Sequence, residues 1–251
     1  MHAVVRADNL TIPQIGHATS YSQSDPSTLN LDDSQSGYIS LLPLTLFEPP
    51  AIHPFTSMTM STDKSARHYI ETISTRPQKP IEIVDYDPSW PTTFASIAQR
   101  IRSALGATAL SVSHVGSTSV PGLPAKAIID VDLVVPDPTA EDEYAPALEA
   151  AGFQFLFREP NWYEHRFFGL AEPYANVHVF GPGAAELSRH QRFREWLVSH
   201  PADRELYVQA KREAARQSQE KGESVQGYNL RKERVIEEIM VRAGIPLSGT
   251  D

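Results

Sequence analysis

The residue types from which chemistry can be built concentrate in the stretch SVSHVGSTSVPGLPAKAIIDVDLVV, residues 111–135. Two aspartates, Asp130 and Asp132, interrupt an apolar run that otherwise reads as a buried strand. Residues two apart on a strand project from the same face, so the two carboxylates are predicted side by side with Val131 turned away. A pair of hard oxygen donors at one strand end suits Mg²⁺ or Mn²⁺, whose octahedron substrate phosphates complete. Upstream, Gly116 permits close backbone approach, and Ser117 offers a hydroxyl and an amide to a phosphate. Residues 118–129 leave room for a loop that returns into a neighbouring strand. The competing reading is structural: two aspartates at a solvated strand end, or paired with Arg166.

Other side chains are weighed beside that centre. His114, just before the turn, either touches phosphate or is hydrogen-bonded at its strand end. Lys126 either reaches phosphate or stays solvated. Arg166 and His178 alternate with apolar residues on neighbouring predicted strands and are expected to face one pocket. His190 and Arg194, four apart, share a helix face. Lys211 and Lys232 either close the pocket with positive charge or are ordinary helical lysines. Trp162 and Tyr163 either stack on a base or belong to the core.

These residues need elements to position them. PIEIVDY alternates like a short strand, and DPSWPTTFASIAQRIRSAL reads as a helix. Its predicted entry is Ser89 as N-cap and Pro91 in the first turn, with Phe94, Ile97, Ile101 and Leu105 at helical spacing. ALSVSHVG and AIIDVDLVV are strands, and EDEYAPALEAAG is a helix closed by Gly152. FQFLFR, EHRFFGL and ANVHVFG follow as three short strands separated by turns. Three helices then run over 187–200, 203–221 and 226–243. The pattern predicts an α+β fold, a mixed sheet with helices packed against it and a C-terminal helical portion.

The folded domain is predicted over 77–246, with a short tail at 247–251. Residues 1–76 are rich in Ser, Thr, Asp, Gln and Pro without sustained periodicity, which predicts a disordered or weakly ordered extension. The alternative there is a short binding segment around Leu41 to Phe55. A formal charge of −9 over 251 residues argues against bulk nucleic-acid binding while leaving a local basic pocket open. With no cysteine, thiolate metal sites, disulfides and cysteine nucleophiles drop out. No apolar run approaches the roughly 20 residues that span a bilayer, and the N-terminus lacks a secretory pattern. The expected location is the cytoplasm.

A Gly-Ser turn about a dozen residues before Asp-X-Asp is similar to the signature of the nucleotidyltransferase fold of DNA polymerase beta and its relatives. HVGSTSVPGLPAKAIIDVDLVV further resembles the diagnostic block of the GrpB family (UPF0157 type). His114, Gly116, Ser117, Thr118, Ser119, Pro121, Gly122, Ala125, Lys126 and Asp130 match that block. The landmarks YDPSW, Arg166 before His178, His190 with Phe193 and Arg194, Tyr207 with Lys211, and Tyr228 with Lys232 follow in order. Ala127 stands where the family usually has proline, and Asn229 replaces a usual threonine. The resemblance covers roughly residues 79–246.

It implies a nucleoside triphosphate bound with Mg²⁺ (or Mn²⁺) and, if the chain is active, nucleotidyl transfer to an unknown acceptor. Asp130 and Asp132 would then hold metal for in-line attack, with His114, Gly116, Ser117, Thr118, Lys126, Arg166, His178, His190, Lys211 and Lys232 around the phosphates. Active nucleotidyltransferases carry a further carboxylate on a later strand. ANVHVF offers only Asn176 and His178 there, and Glu164 and Glu172 are the nearest acids in sequence. The alternative is a non-catalytic nucleotide-binding or coenzyme-A-pathway module, since GrpB-like domains also occur fused to dephospho-CoA kinase. The kinase half's Gly-X-X-X-X-Gly-Lys-Ser/Thr loop does not occur here.

Overall fold

The computed structural model describes residues 69–247. Its elements in chain order are β1 (Glu71–Thr72), α1 (Trp90–Leu105), β2 (Ser111–Val115), β3 (Ile129–Val134), α2 (Ala145–Ala150), β4 (Gln154–Glu159), β5 (His165–Leu170), β6 (Ala175–Phe180), α3 (Ala185–Ser199), α4 (Pro201–Glu220) and α5 (Val225–Arg242). The strands form one sheet in the order β1-β4-β5-β6-β3-β2. Only β3 and β6 run parallel; every other neighbouring pair is antiparallel. The expected α+β fold with a mixed sheet is the fold observed.

Alternation along the central strands divides the sheet into two unlike faces. Ile129, Val131 and Leu133 of β3 and Ala175, Val177 and Val179 of β6 share one face. There they form a core with Ile97 and Ile101 of α1 and Leu148 of α2. Val131 and Leu133 are wholly buried, each such side chain contributing about 1.5–3 kcal/mol. The opposite face presents Asp130 and Asp132 on β3 and Asn176, His178 and Phe180 on β6, in register. The C-terminal helices bring a second apolar cluster, Phe193, Leu197, Tyr207, Val208, Ile236 and Ile239, which reaches Val120 and Leu123 of the β2–β3 loop.

Local chemistry departs from expectation at three places. Ser89 makes no side-chain cap to α1; instead the Asp87 carboxylate accepts the Ser89 amide at 2.7 Å. PIEIVDY forms only an isolated bridge, Val84 with Ala125. The predicted extension lies outside the described residues except for 69–76, which pack on the sheet. The Ile73 amide donates to Leu156 O at 2.8 Å, and Ser74 Oγ donates to Phe155 O at 2.5 Å. The alternative binding segment, Leu41 to Phe55, also lies outside the described residues.

The β2–β3 loop starts at Gly116, whose φ of 68° and ψ of −169° place it in a region essentially reserved for glycine. A Cβ there would also drive into the Asp130 carboxylate, well inside any real contact distance. Gly116→Ala is therefore expected to lower unfolding free energy by about 1–3 kcal/mol from backbone strain alone. Chemical denaturation checks this; an unchanged midpoint would mean the turn is not held as described.

Candidate functional site

Folding brings Gly116 and Asp130, fourteen positions apart in sequence, into direct contact. Asp130 Oδ1 accepts a hydrogen bond of 2.7 Å from Asn176 Nδ2, while Oδ2 lies against the Gly116 Cα. The carboxylate is thus fixed between β6 and the glycine turn. It looks into a cleft of about 950 Å³, open mouth included, between this sheet face and α3, α4 and α5.

The cleft's lining is strongly one-signed. Lys126 from the loop, Arg194 from α3, Lys211 from α4 and Lys232 from α5 line it, and Asp130 is the one carboxylate among the lining residues. Lys211 is 2% exposed and donates from Nζ to Pro124 O at 2.6 Å. Burial pushes the Lys211 ammonium well below the usual lysine range; Lys232 and Lys126 add to this, and Asp130 opposes it. Burial raises the Asp130 pKa, against the lowering effect of Asn176, Lys126, Lys232 and His190. Lys126 and Lys232 both lie over the Tyr228 ring, at 5.2 and 5.0 Å, and Lys211 over Tyr207 at 5.1 Å. Ser117 Oγ is 3.4 Å from the Tyr207 hydroxyl. Val120, Phe193, Leu197 and Ile236 supply an apolar wall.

Of the expected site residues, Gly116, Ser117, Lys126, Asp130, His190, Lys211 and Lys232 meet in this cleft. The others do not line it. Asp132 is 2% exposed, and its carboxylate accepts from His190 Nδ1 at 2.9 Å. His190 Nε2 in turn lies 3.3 Å from Glu186 Oε1, so both ring nitrogens face carboxylates. Asp132 therefore shares the face of Asp130 but serves to orient His190.

His178 is fully buried. Glu159 accepts from His165 Nδ1 at 2.9 Å, which leaves His165 Nε2 to accept from His178 Nδ1 at 3.1 Å. Burial lowers both imidazole pKa values, which favours the neutral rings, and His178 Nε2 has no hydrogen-bond partner. Arg166 takes the sheet face opposite the aspartates, because its register partner on β6 is Val179. It donates to Glu141 Oε1 at 2.6 Å. The sequence missed this because alternation fixes parity along one strand, whereas shared facing depends on register between strands.

His114 Nε2 lies 3.1 Å from Thr118 Oγ1, and the ring stacks on Phe94 at 4.7 Å. Burial, with Arg194 nearby, lowers the His114 pKa to about 4. Thr118 Oγ1 donates to Ile128 O at 3.1 Å, so both residues hold the loop in shape. Trp162 packs edge-on against Phe180, and the Tyr163 hydroxyl accepts from Arg189 at 2.7 Å; neither lines the cleft.

The donor set does not fit a resident pair of divalent ions. The β6 positions facing the aspartates are Asn176 and His178, and Asn176 spends its donor on Asp130. Glu164, in the β4–β5 turn, and Glu172, in the β5–β6 turn, lie outside the cleft lining. Among the described residues no group of three His, Asp or Glu side chains is arranged to hold a metal. Asp130 alone could meet a magnesium ion that arrives already bound to substrate phosphates.

Sequence reasoning did not find Arg76, Glu159, His165 or Glu186. Glu186 carried a signal, sharing the helix face of His190, Phe193 and Leu197; Glu159 beside Arg158, and His165 between Glu164 and Arg166, carried none, and neither did Arg76.

The sequence profile of the GrpB protein family matches residues 80–242. A UPF0157 protein of Halalkalibacterium halodurans is 48% identical over 163 residues, covering 65% of this chain and 82% of that protein. A UPF0157 protein of Pseudomonas aeruginosa is 37% identical, over 65% of this chain and 67% of its own length. A dephospho-CoA kinase of Mycolicibacterium paratuberculosis is 31% identical over 58% of this chain, a stretch amounting to 43% of the kinase. The crystal structure of GrpB from Enterococcus faecalis superposes with a TM-score of 0.53 at 25% identity, covering 64% of this chain and 98% of that one. With the matched span running from just before the first bridge to the end of α5, the chain belongs to the GrpB family.

Proposed function

We propose that the cleft binds a nucleotide through its polyphosphate, as a nucleoside triphosphate carrying its own magnesium. The observation that carries this is the charge imbalance of the lining: Lys126, Arg194, Lys211 and Lys232 against Asp130 alone. Burial disfavours the charged forms of basic groups gathered in one lining, and so do the groups themselves, which is why the Lys211 ammonium is pushed below its usual range. A polyanion would favour the charged forms again. The Gly116-Ser117 turn supplies backbone and hydroxyl donors at the same rim. The apolar wall of Val120, Phe193, Leu197 and Ile236, with the rings of Tyr207 and Tyr228, suits the uncharged remainder of the ligand.

Binding is placed ahead of nucleotidyl transfer, because the cleft contains one carboxylate and no second acid to hold a catalytic ion or accept a proton. A second reading, a coenzyme-A-pathway ligand, draws on the relatives named dephospho-CoA kinase and on that apolar wall. Coenzyme A precursors present a pyrophosphate and an adenosine like the nucleotides, but add a long apolar arm.

Isothermal titration of ATP, GTP, CTP, UTP and dephospho-CoA, each with and without Mg²⁺, separates these readings. The expected result is tight binding of one ligand class. Lys211→Met or Lys232→Met should each weaken it about 10- to 100-fold, the span of a charge-assisted hydrogen bond. Asp130→Asn should abolish any gain from Mg²⁺ while leaving metal-free binding intact. Failure of every polyphosphate to bind the wild-type chain would sink the proposal. If nucleotides bind, pyrophosphate release with candidate acceptors tests transfer.

Lys211 adds a pH signature. Burial depresses its pKa, and a bound anion would raise it, so binding is expected to take up protons from the buffer. By linkage, affinity falls as pH rises above the depressed Lys211 pKa. At fixed pH the measured enthalpy should rise with the buffer's ionisation enthalpy, and Lys211→Met should flatten that slope. An unchanged slope in the variant would show that Lys211 does not titrate with the ligand.

A further inference from the structure

The row of residues that ends at Asp130 begins outside the span matched by the family. In register across the sheet, Gly169 of β5 stands opposite Asn176 of β6, which stands opposite Asp130 of β3. Gly169 has no side chain to fill its place on that face, and the guanidinium of Arg76 occupies it. A Cβ on Gly169 would collide with three guanidinium atoms. From there Arg76 donates through Nη1 to Ala175 O at 2.7 Å and Leu170 O at 3.3 Å, and through Nη2 to Asn176 Oδ1. Its planar head also lies 4.1 Å above the Tyr174 ring.

Asn176 is therefore held at both ends of its carboxamide. Its oxygen must face Arg76, a pure donor, which leaves its nitrogen to donate to Asp130 Oδ1 at 2.7 Å. With Oδ1 engaged and the glycine turn against Oδ2, the carboxylate has one setting. The strap that delivers Arg76 is itself stapled to β4, at the place where the β4–β5 register shifts between Phe155 and Phe157. The Leu156 carbonyl accepts both the Ile73 and Ser74 amides, while Gln154 Nε2 donates to Ser74 Oγ and Thr75 O, each at 2.9 Å.

We propose that Arg76 is a positioning residue for the cleft's single carboxylate, acting through the Asn176 carboxamide to fix the orientation of Asp130. Residues 71–76 are thus a working part of the site. Arginine is required because one planar, permanently charged fork must serve two backbone carbonyls and an amide oxygen together. The inference rests on the reading of Asp130 as the acid that meets the ligand, but its test needs no ligand.

The experiment uses the full chain, with two nuclear magnetic resonance readouts. One is the carboxyl ¹³C signal of Asp130 at fixed pH, assigned by its loss in Asp130→Asn; the other is the Asn176 side-chain amide signal, assigned by its loss in Asn176→Ala. In Arg76→Gln the Asp130 carboxyl signal is expected to move from its wild-type position, because the amide that donates to it is no longer held. The Asn176 amide signal should shift and exchange with water at least about tenfold faster, since its geometry is no longer clamped. Arg76→Lys should restore neither signal, because an ammonium cannot serve two carbonyls and the amide oxygen in one plane.

Should Arg76→Gln fail to fold, Gly169→Ala crowds the guanidinium without removing it and must move both readouts in the same directions. An Asp130 carboxyl signal and an Asn176 signal unchanged in the folded variants, even with lowered thermal stability, would reduce Arg76 to a structural staple and overturn the proposal. A chain that bound no polyphosphate would instead sink the reading of the cleft and leave these readouts as they are.

Discussion

Everything in the cleft hangs on one carboxylate meeting two buried lysines. Lys211 and Lys232 sit on α4 and α5, 2% and 7% exposed, where the helices close over the sheet. An ammonium out of water needs a partner, and a carbonyl such as Pro124 O supplies only partial charge. Asp130 is the formal negative charge that the lining provides. It helps the C-terminal helices to seat their lysines, and the lining still carries more basic than acidic side chains. That composition separates this cleft from a one-to-one buried ion pair.

The sheet explains how one acid came to be singled out from two. Asp130 and Asp132 share a face, as their spacing dictates, but they meet different neighbours along β6. Opposite Asp130 stands Asn176, a short amide that leaves the far side of the carboxylate facing the glycine turn. Opposite Asp132 stands His178, part of a buried polar layer with His165 and Glu159, and α3 lowers His190 onto the acid. The polar layer continues into Glu186, whose Oε2 accepts from Arg189 Nε at 2.6 Å. Each buried charge in this layer has a partner of opposite sign or a hydrogen bond, the condition under which burial is tolerated. The layer therefore fixes the position of α3, and through Arg194 on that helix it also fixes one wall of the cleft.

What the sequence disclosed follows from the range of the interactions involved. Strands, helices and the shared face of Asp130 and Asp132 come from periodicity, a local property, and they were legible. Lys126, Lys211, Lys232 and His190 reached the cleft as expected because the family pattern marks them out. Arg166 was misplaced because facing between strands is set by register, which no single strand records. His178 reads from the sequence as a phosphate contact, because an imidazole on the correct face looks available until its partner, His165, is seen on the next strand. Arg76 was invisible for a related reason: its role exists only through a glycine ninety-three positions later that leaves a gap for it. A glycine inside a strand, with no turn to explain it, was the one readable trace of that contact.

The exchange of carboxylates for lysines also bears on what chemistry the fold can host here. A site that organises two divalent ions needs several acids converging where phosphates bind, and its net charge before metal is negative. This cleft reverses that sign: its own side chains supply the positive charge that metal ions supply in a polymerase-type site. Direct cations bind a polyphosphate without resident metal, but they do not lower the pKa of an attacking hydroxyl as a bound ion does. The electrostatics thus suit the proposed holding of a nucleotide better than activation of a nucleophile. Asp130, held between Asn176 and the Gly116 turn, is the lining carboxylate through which the proposal would tell a magnesium-bound phosphate chain from a metal-free one.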